Sequence, residues 1–162
     1  MNLQIIPKQN VIPNYDSKAI KIQYIEYVEY NPSGNIIEGD EITEEVISEL
    51  LKQILSGTSV YLSLDPYCED TWLEVVSDST WLALVYSSNA GQDNYYSYNP
   101  AFEGIEEMTP LLSGGQSPIE KYLALTDKQA GLKAVEYFIR TGKLCHNIDW
   151  AKQIVPDFMR NF

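Results

Sequence analysis

The chain has 162 residues, 44% of them hydrophobic and 21% charged, which is the size and composition of one globular domain with a single core. Its 11 basic and 23 acidic residues give a formal net charge of −12, which opposes binding to nucleic acid or anionic lipid and attracts a basic partner. No apolar run approaches the roughly 20 residues of a membrane helix, and the N-terminus lacks the order of a secretory signal. We therefore expect a cytoplasmic protein that does not engage a membrane and whose cysteines are reduced.

The first regular element that the sequence predicts is a long strand over residues 19–30, "AIKIQYIEYVEY". β-Branched and aromatic residues favour this conformation. Alternation places five of its apolar side chains on one side: Ile20, Ile22, Tyr24, Val28 and Tyr30. The "NPSGN" that follows is typical of a turn, because proline fixes one dihedral angle and glycine permits a positive one.

Residues 43–56 are predicted to form an amphipathic helix. Apolar pairs recur about every four residues and make one continuous stripe. The stripe consists of Val46, Ile47, Leu50, Leu51, Ile54 and Leu55. Thr43 can cap the first turn, Glu44 and Glu45 favour its positive end, and Gly57 suits the position after the last turn.

The middle of the chain predicts a meander of strands over residues 59–65, 71–77, 80–87 and 94–99. The breaks between these strands are short, whereas a parallel crossover needs about a dozen residues or more, so we expect antiparallel hairpins. Several strands are apolar on both sides. Helices are therefore expected on one face of the sheet, with partial shielding of the other by the aromatic residues Trp72, Trp81 and Tyr86.

The segment "NPAFEGIEEMTPLLSGGQSP", residues 99–118, is interpreted as a loop with scattered apolar anchors and a flexible pair, Gly114 and Gly115. The "IEKYLAL" of residues 119–125 predicts a last edge strand. Neither segment shows a helical period.

Residues 126–142 predict a second amphipathic helix. Thr126 followed by Gln129 has the form of a capping box, and Gly142 lies where a helix commonly ends. No linker, repeat or low-complexity tract divides the chain. Residues 1–162 are thus predicted to form one α+β domain, a mainly antiparallel sheet of about five to six strands with two amphipathic helices packed on one face.

A catalytic or metal site has little support in the sequence. Cys145 adjoins the single histidine, His146, and neighbouring side chains in extended structure point to opposite faces. The chain holds fewer cysteines and histidines than the four ligands of a closed zinc site. The "DPYCED" of residues 65–70 lacks the pattern of a calcium loop, and neither a nucleophile elbow nor a phosphate-binding loop is present. We predict a protein that is not an enzyme and has no metal or cofactor.

Tyrosine and acidic residues stand out instead. The chain has 12 tyrosines and three tryptophans, and several tyrosines follow a polar loop in "GQDNYYSYN". Alternation places Tyr96 and Tyr98 on one face of the strand and Tyr95 on the other. Tyrosine combines apolar area with a hydroxyl group, which makes it frequent at recognition surfaces, although a single tyrosine can also simply complete a sheet face.

Four segments follow one another in a characteristic order: "WLEVVSDSTWLALVY", "NYYSYN", a glycine-containing loop, and "AGLKAVEYFIRTGKLCHNIDW". In this order, over residues 58–150, the chain resembles the first-numbered family of immunity proteins from bacterial polymorphic toxin systems. The C-terminal signature of that family is matched by Ala130, Ala134, Phe138, Thr141, Gly142, Ile148, Asp149 and Trp150. The "KLCHN" stretch departs from the family, which often has a proline there. The residues that the resemblance marks as its structural signature are Trp72, Trp81, Phe138, Gly142 and Trp150.

The resemblance implies a protein that binds the toxic C-terminal domain of a cognate effector and blocks its active site or substrate surface. Many such toxins act on nucleic acid through basic surfaces, and complementary fields would steer an acidic inhibitor to them. We expect contact through acidic loops and tyrosines near the strand ends, where a rigid scaffold presents binding groups. The candidate contact residues are Asp65, Glu69, Asp70, Asp93, Tyr95 and Tyr96.

Two other functions are open on the sequence alone. A carbohydrate- or small-ligand-binding module would use exposed aromatic residues as its platform. A carboxylate-dependent hydrolase would need a pocket that holds two acidic groups with separated pKa values. An upstream gene for a large secreted protein with a variable C-terminal domain would favour the immunity function, whereas a sugar-processing operon would oppose it.

Overall fold

The structure is a computed structural model that describes residues 2–32 and 34–156. Its helices are α1 (Glu44–Ser56) and α2 (Lys128–Thr141), with short 3-10 helices at Gly39–Glu41, Pro100–Phe102 and Lys121–Leu123. Its strands are β1 (Leu3–Ile6), β2 (Tyr24–Tyr27), β3 (Ile36–Glu38), β4 (Val60–Ser63), β5 (Trp72–Ser77), β6 (Leu82–Ser88), β7 (Asp93–Tyr98), β8 (Met108–Ser113), β9 (Ser117–Glu120) and β10 (Asp149–Gln153).

Eight of these strands form one antiparallel sheet in the order β1-β10-β7-β6-β5-β4-β2-β3. The α+β class and the antiparallel meander from β4 to β7 are confirmed. The expectation of about five to six strands was too low, because a very short segment shows no clear alternation. β1 and β3 are only four and three residues long.

The predicted first strand was too long, and its five apolar residues do not form one side of a strand. Within residues 19–30 only Tyr24–Tyr27 joins the sheet, and the buried residues of this strand are Ile25 and Tyr27. Tyr24 points the other way, while Val28 and Tyr30 are exposed. The alternation of residues 19–23 therefore does not continue the pleat of β2, although Ile22 is itself buried.

Both helices were predicted in the right place, with one wrong cap. Thr43 caps α1, and Gly57 follows it in a left-handed conformation. α2 ends at Gly142 with φ 75°, as predicted. Its N-terminal cap is Asp127 and not Thr126, because the Asp127 carboxylate accepts a backbone hydrogen bond from the first turn at 3.1 Å.

The two helices pack on the same face of the sheet. Their contribution to the main core consists of Ile47, Leu50, Ile54, Ala134, Val135, Phe138 and Ile139. Gly131 lets α2 approach β6, since a Cβ atom there would lie 2.2 Å from a methyl carbon of Leu82. Arg140 joins the helices, with Nη1 and Nη2 at 2.6 and 2.9 Å from the Glu44 carboxylate oxygens. This face is therefore covered by the chain itself.

A hairpin of β8 and β9 covers part of the opposite face. The interpretation of residues 99–118 as a loop was wrong, since β8 lies within it and Gly114 and Gly115 form the hairpin turn. The predicted edge strand over residues 119–125 was also wrong, because β9 ends at Glu120 and a 3-10 helix follows. Pro110 inside β8 argued against a strand in the sequence. The hairpin helps to enclose a second core of Val76, Ala83, Tyr98, Leu111, Ile119, Leu123, Ala124 and Ala151.

Candidate binding face

The hairpin leaves uncovered the half of the second sheet face that belongs to β2, β3 and β4 and to the start of β5. Strand register places Glu38 beside Tyr24. It also places Glu26, Tyr61 and Glu74 in one row across three strands. We call these five residues the open face. They alternate along their strands with side chains of the main core, so the sheet holds them in fixed positions.

Hydrogen bonds orient the carboxylates of the open face. The Tyr24 hydroxyl donates to Glu26. Glu74 accepts hydrogen bonds from the Tyr61 hydroxyl at 3.1 Å and from the Ser113 hydroxyl at 2.8 Å. The backbone N–H of Gly114, in the hairpin turn, also donates to Glu74, at 3.0 Å. The hairpin turn thus forms one wall of the open face.

These carboxylates raise the pKa of the tyrosines between them. Burial and then the Glu26 carboxylate raise the pKa of Tyr24 to about 12. Burial and then Glu74 raise the pKa of Tyr61 to about 12. Both hydroxyl groups consequently remain protonated at neutral pH and act as donors.

No cation of the described chain neutralises the open face. Among residues 2–32 and 34–156, the two ion pairs join Lys121 to Glu107 and Arg140 to Glu44. A carboxylate in such a place attracts a cationic group from outside the molecule.

A loop of residues 65–70, here called the acidic loop, borders the open face at the end of β4. The Asp65 carboxylate organises it by accepting three backbone N–H groups of the loop at 2.9, 3.0 and 3.2 Å and the Ser63 hydroxyl at 2.9 Å. Burial opposes the charge on Asp65, but these hydrogen bonds lower its pKa to about 2. Asp65 therefore shapes the loop, while Glu69 and Asp70 are exposed.

The acidic loop also contacts the turn between β6 and β7. The backbone N–H of Ala90 donates to the Asp70 carbonyl at 3.1 Å. At the neighbouring position, a Cβ atom on Gly91 would lie 3.1 Å from the Trp72 ring. Glu69 and Asp70 consequently lie at the same end of the sheet as Asp93, which begins β7.

Exposed apolar side chains flank the open face. Val28, Ile36 and Tyr30 are 47%, 51% and 85% exposed near the β2–β3 end, and Tyr67 is 77% exposed in the acidic loop. Register places Ile36 directly beside Glu26. Large apolar groups beside carboxylates and tyrosines are typical of protein recognition surfaces.

The structure does not bring all six predicted contact residues together. Asp65, Glu69 and Asp70 share the acidic loop. Tyr95 lies on the helix side of the sheet, with its ring centroid 5.8 Å from that of Tyr86. Tyr96 packs against the second core, so these tyrosines point to opposite faces, as alternation predicts. Asp93 precedes Tyr95 by two residues and shares its side of β7.

Three of the five signature residues, Phe138, Trp150 and Trp81, belong to or pack against the two cores. Phe138 and Trp150 are each 1% exposed in the main core. Gly142 meets the Leu64 side chain, since a Cβ atom there would lie 3.0 Å from one of its methyl carbons. Trp81 packs against the second core, and Trp72 is half-buried at the start of β5.

Cys145 is a buried residue of the main core. The Cys145 carbonyl accepts the Trp150 indole N–H at 2.6 Å. Burial raises the pKa of the Cys145 thiol, which opposes formation of a thiolate. His146 is half-buried beside it. In the part of the chain that the structure describes, no group of three or more His, Cys, Asp or Glu side chains is placed to hold a metal ion.

Comparison with known proteins leaves the function to be inferred from this chemistry. No family model matches the chain, and no curated protein matches it significantly. Neither α1 nor α2 is long and apolar enough to cross a lipid bilayer.

Sequence reasoning missed all five residues of the open face as site residues: Tyr24, Glu26, Glu38, Tyr61 and Glu74. A signal for two of them was present. Glu74 stands between the buried residues Leu73 and Val75 in an otherwise apolar strand, and Glu26 follows the buried Ile25. A carboxylate inside a two-sided apolar strand marks a face that the chain does not fully cover.

Proposed function

We propose that this chain is a non-enzymatic immunity protein that binds a cognate bacterial toxin domain acting on nucleic acid and covers its active site or substrate surface. The observation that carries the proposal is the open face, a fixed array of carboxylates and tyrosines that no described cation neutralises. The resemblance of residues 58–150 to the immunity family supports the same class. The site of action is the cytoplasm of the cell that makes the toxin.

Charge and shape contribute differently to such binding. The net charge of −12 would steer the protein towards a basic, phosphate-binding surface and raise the association rate. Glu26, Glu38, Glu69 and Asp70 would then occupy positions that substrate phosphates take on the toxin. Tyr61 and the flanking apolar side chains add contact area at low entropic cost.

The contact surface in this proposal differs from the set of six predicted residues. It consists of the open face, with Glu69 and Asp70 at its border and Asp65 as the residue that positions them. Tyr95 faces the helix side, so one flat partner surface would not reach it together with Glu26. Its contribution to toxin binding is expected to be small.

A pair of charge-matched variants tests the proposal. The partner is the C-terminal domain encoded by the gene upstream of this one, and its affinity is measured by calorimetry at two salt concentrations. The double variant Glu26→Gln with Glu38→Gln should bind at least about tenfold more weakly at low salt, with a smaller difference at high salt. The control, Glu45→Gln with Glu49→Gln on the exposed side of α1, removes the same charge on the opposite side of the sheet from the open face and should bind almost normally.

Two results would overturn the proposal. Absence of binding to the upstream-encoded domain would remove the assigned partner. Equal loss of affinity in both double variants would show that only net charge matters and that the open face is not the contact.

A further inference from the structure

A second concave surface lies on the helix side of the sheet, away from the open face. It is a groove of about 630 Å³ between the N-terminal segment before β2, the end of α2 and strands β6 and β7. Four tyrosines line it: Tyr15, Tyr86, Tyr95 and Tyr137. We call it the tyrosine groove. Its volume falls in the range of small-molecule sites, roughly 300 to 1,000 Å³.

The rings of the tyrosine groove are held in fixed orientations. Tyr15 and Tyr137 pack edge to face with centroids 5.2 Å apart, and Tyr86 and Tyr95 do so at 5.8 Å. Tyr86 also packs edge to face on the buried Phe138, and its hydroxyl donates to the Gly142 carbonyl at 3.5 Å. Rings fixed before binding lose little entropy when a planar ligand stacks on them.

The described lining of the tyrosine groove lacks the acidic residues that dominate the chain as a whole, although Asp93 lies on the same side of β7 and pairs with Ser88 of the lining. This described lining contains Lys143 and His146 and no Asp or Glu, although the chain has 23 acidic residues. The ammonium group of Lys152 lies 5.4 Å from the Tyr95 ring centroid and adds a second cation at the edge. Burial raises the pKa of Tyr15 and of Tyr86, and the carboxylates of Glu136 and Asp70, which lie outside the lining, raise the pKa of Tyr15 and of Tyr86 respectively.

The C-terminal end of α2 borders the tyrosine groove, and helix C-termini carry partial negative charge, which would repel an anion. Several carbonyls near this end are, however, already engaged. The Tyr137 carbonyl accepts the Thr141 hydroxyl at 2.7 Å, and the Phe138 carbonyl accepts the Gly142 N–H at 2.8 Å. Lys143 follows directly and is exposed at the groove.

From this combination we infer that the tyrosine groove binds a small aromatic anion, a planar ring that carries a carboxylate or phosphate group. The ring stacks against Tyr86 or Tyr95, and the anionic group pairs with Lys143, assisted by Lys152. The inference does not depend on the immunity function, because the groove and the open face lie on opposite sides of the sheet.

Calorimetric titration of the full chain with four probes separates ring from charge. Indole-3-acetate supplies both, indole-3-ethanol supplies the ring alone, cyclohexylacetate supplies the charge alone, and phenyl phosphate replaces the carboxylate by phosphate. We expect measurable binding of at least one aromatic anion, with the uncharged and the non-aromatic probes each binding roughly tenfold more weakly. The ratio of the indole-3-acetate and phenyl phosphate affinities tells which anionic group is preferred.

Two lysine variants locate the site. Lys143→Gln should weaken binding of the preferred anion roughly tenfold, because it removes a charge-assisted contact from an exposed position that bears no core packing. Lys133→Gln, an equal charge change at an exposed position of α2 outside the groove lining, should leave the affinity unchanged.

The inference fails if no aromatic anion binds, if both lysine variants weaken binding equally, or if a neutral sugar such as methyl glucoside binds in preference to the anions. The last result would instead support a carbohydrate-binding groove. None of these outcomes bears on toxin binding, which is measured with a different partner at a different surface.

Discussion

The two halves of the second sheet face are built from the same sheet but are covered differently. Under the β8–β9 hairpin, the strands present small or apolar side chains such as Val76, Ala83 and Ala151. Over β2, β3 and β4 they present the carboxylates and tyrosines of the open face. Glu74 marks the boundary, since it is 8% exposed and accepts hydrogen bonds from the hairpin turn.

The difference shows that the polarity of the side chains on a strand matches the surface that covers them. Burying an uncompensated carboxylate costs several kcal/mol, so the hairpin could not extend over Glu26 and Glu38 without supplying cations or hydrogen-bond donors, as its turn does for Glu74. The hairpin side chains that face the sheet, such as Leu111 and Ile119, are apolar. The charged half is therefore suited to contact with solvent or with a basic partner, and the apolar half to contact with the chain itself.

The largest expected effect comes from the core beneath both halves. Trp150→Ala should lower the free energy of unfolding by about 3 to 5 kcal/mol, because it leaves a large cavity and removes the indole hydrogen bond to Cys145. Urea unfolding followed by circular dichroism measures the loss. Unchanged stability together with lost toxin binding would show that Trp150 belongs to the contact surface and not to the core.

The hairpin provides the next test. Leu111→Ala should cost about 2 to 4 kcal/mol, because Leu111 is 4% exposed under the covered half. Its sequence neighbour Leu112 is 46% exposed, so Leu112→Ala should change the stability by less than about 0.5 kcal/mol. Similar losses in the two variants, measured by urea unfolding, would mean that the hairpin is not docked as described.

The acidic loop should respond to pH. The folded state lowers the pKa of Asp65 from 3.8 to about 2, so its ionised form stabilises the protein above the ordinary value. That contribution is lost as the pH falls through this interval towards 2. Because solvent reaches part of the group, we expect Asp65→Asn to cost only about 1 kcal/mol at neutral pH.

Unfolding of the wild type and of the Asp65→Asn variant is compared across this acidic range. The difference in stability should shrink as the pH falls. A difference that stays constant from neutral pH down to about 2 would contradict the assigned role of the charge.

The smallest effect is expected on the open face itself. Glu26→Gln with Glu38→Gln should change the free energy of unfolding by no more than about 0.5 kcal/mol, because both side chains remain in contact with solvent and relief of like-charge repulsion offsets the lost hydrogen-bond strength. Thermal unfolding measures it. A loss of about 2 kcal/mol or more would show that these carboxylates stabilise the fold and would weaken the contrast between the two halves.

Sequence patterns predicted the long, periodic elements and failed on the short ones. The stripe of Leu50 and Ile54 identified α1, and the short break before Trp81 identified an antiparallel hairpin. The β8–β9 hairpin was not predicted because Pro110 interrupts its pattern. The strand β3 was not predicted because three residues define no period. Asp65 and Glu69 were found as an acidic loop, but which of them is exposed depends on hydrogen bonds within the loop.

The open face was not predictable from the order of residues alone. Glu26 and Tyr61 are 35 positions apart along the chain and Tyr61 and Glu74 are 13 apart, and they become a row only through the register of β2, β4 and β5. The predicted contact residues Tyr95 and Asp70 lie on different elements, a strand and a loop. Pairing between distant strands, which no local period encodes, decides these placements.

The position of β10 has a consequence for how the molecule assembles. β1 lies at the sheet edge with β10 as its neighbour, and Leu3 pairs with Gln153. During synthesis β1 therefore emerges first but has no partner until Asp149–Gln153 has been made. Closing so long a loop is slow, because its entropy is lost before the pairing is gained. The pairing of β1 with β10 should thus be among the last parts of the sheet to form.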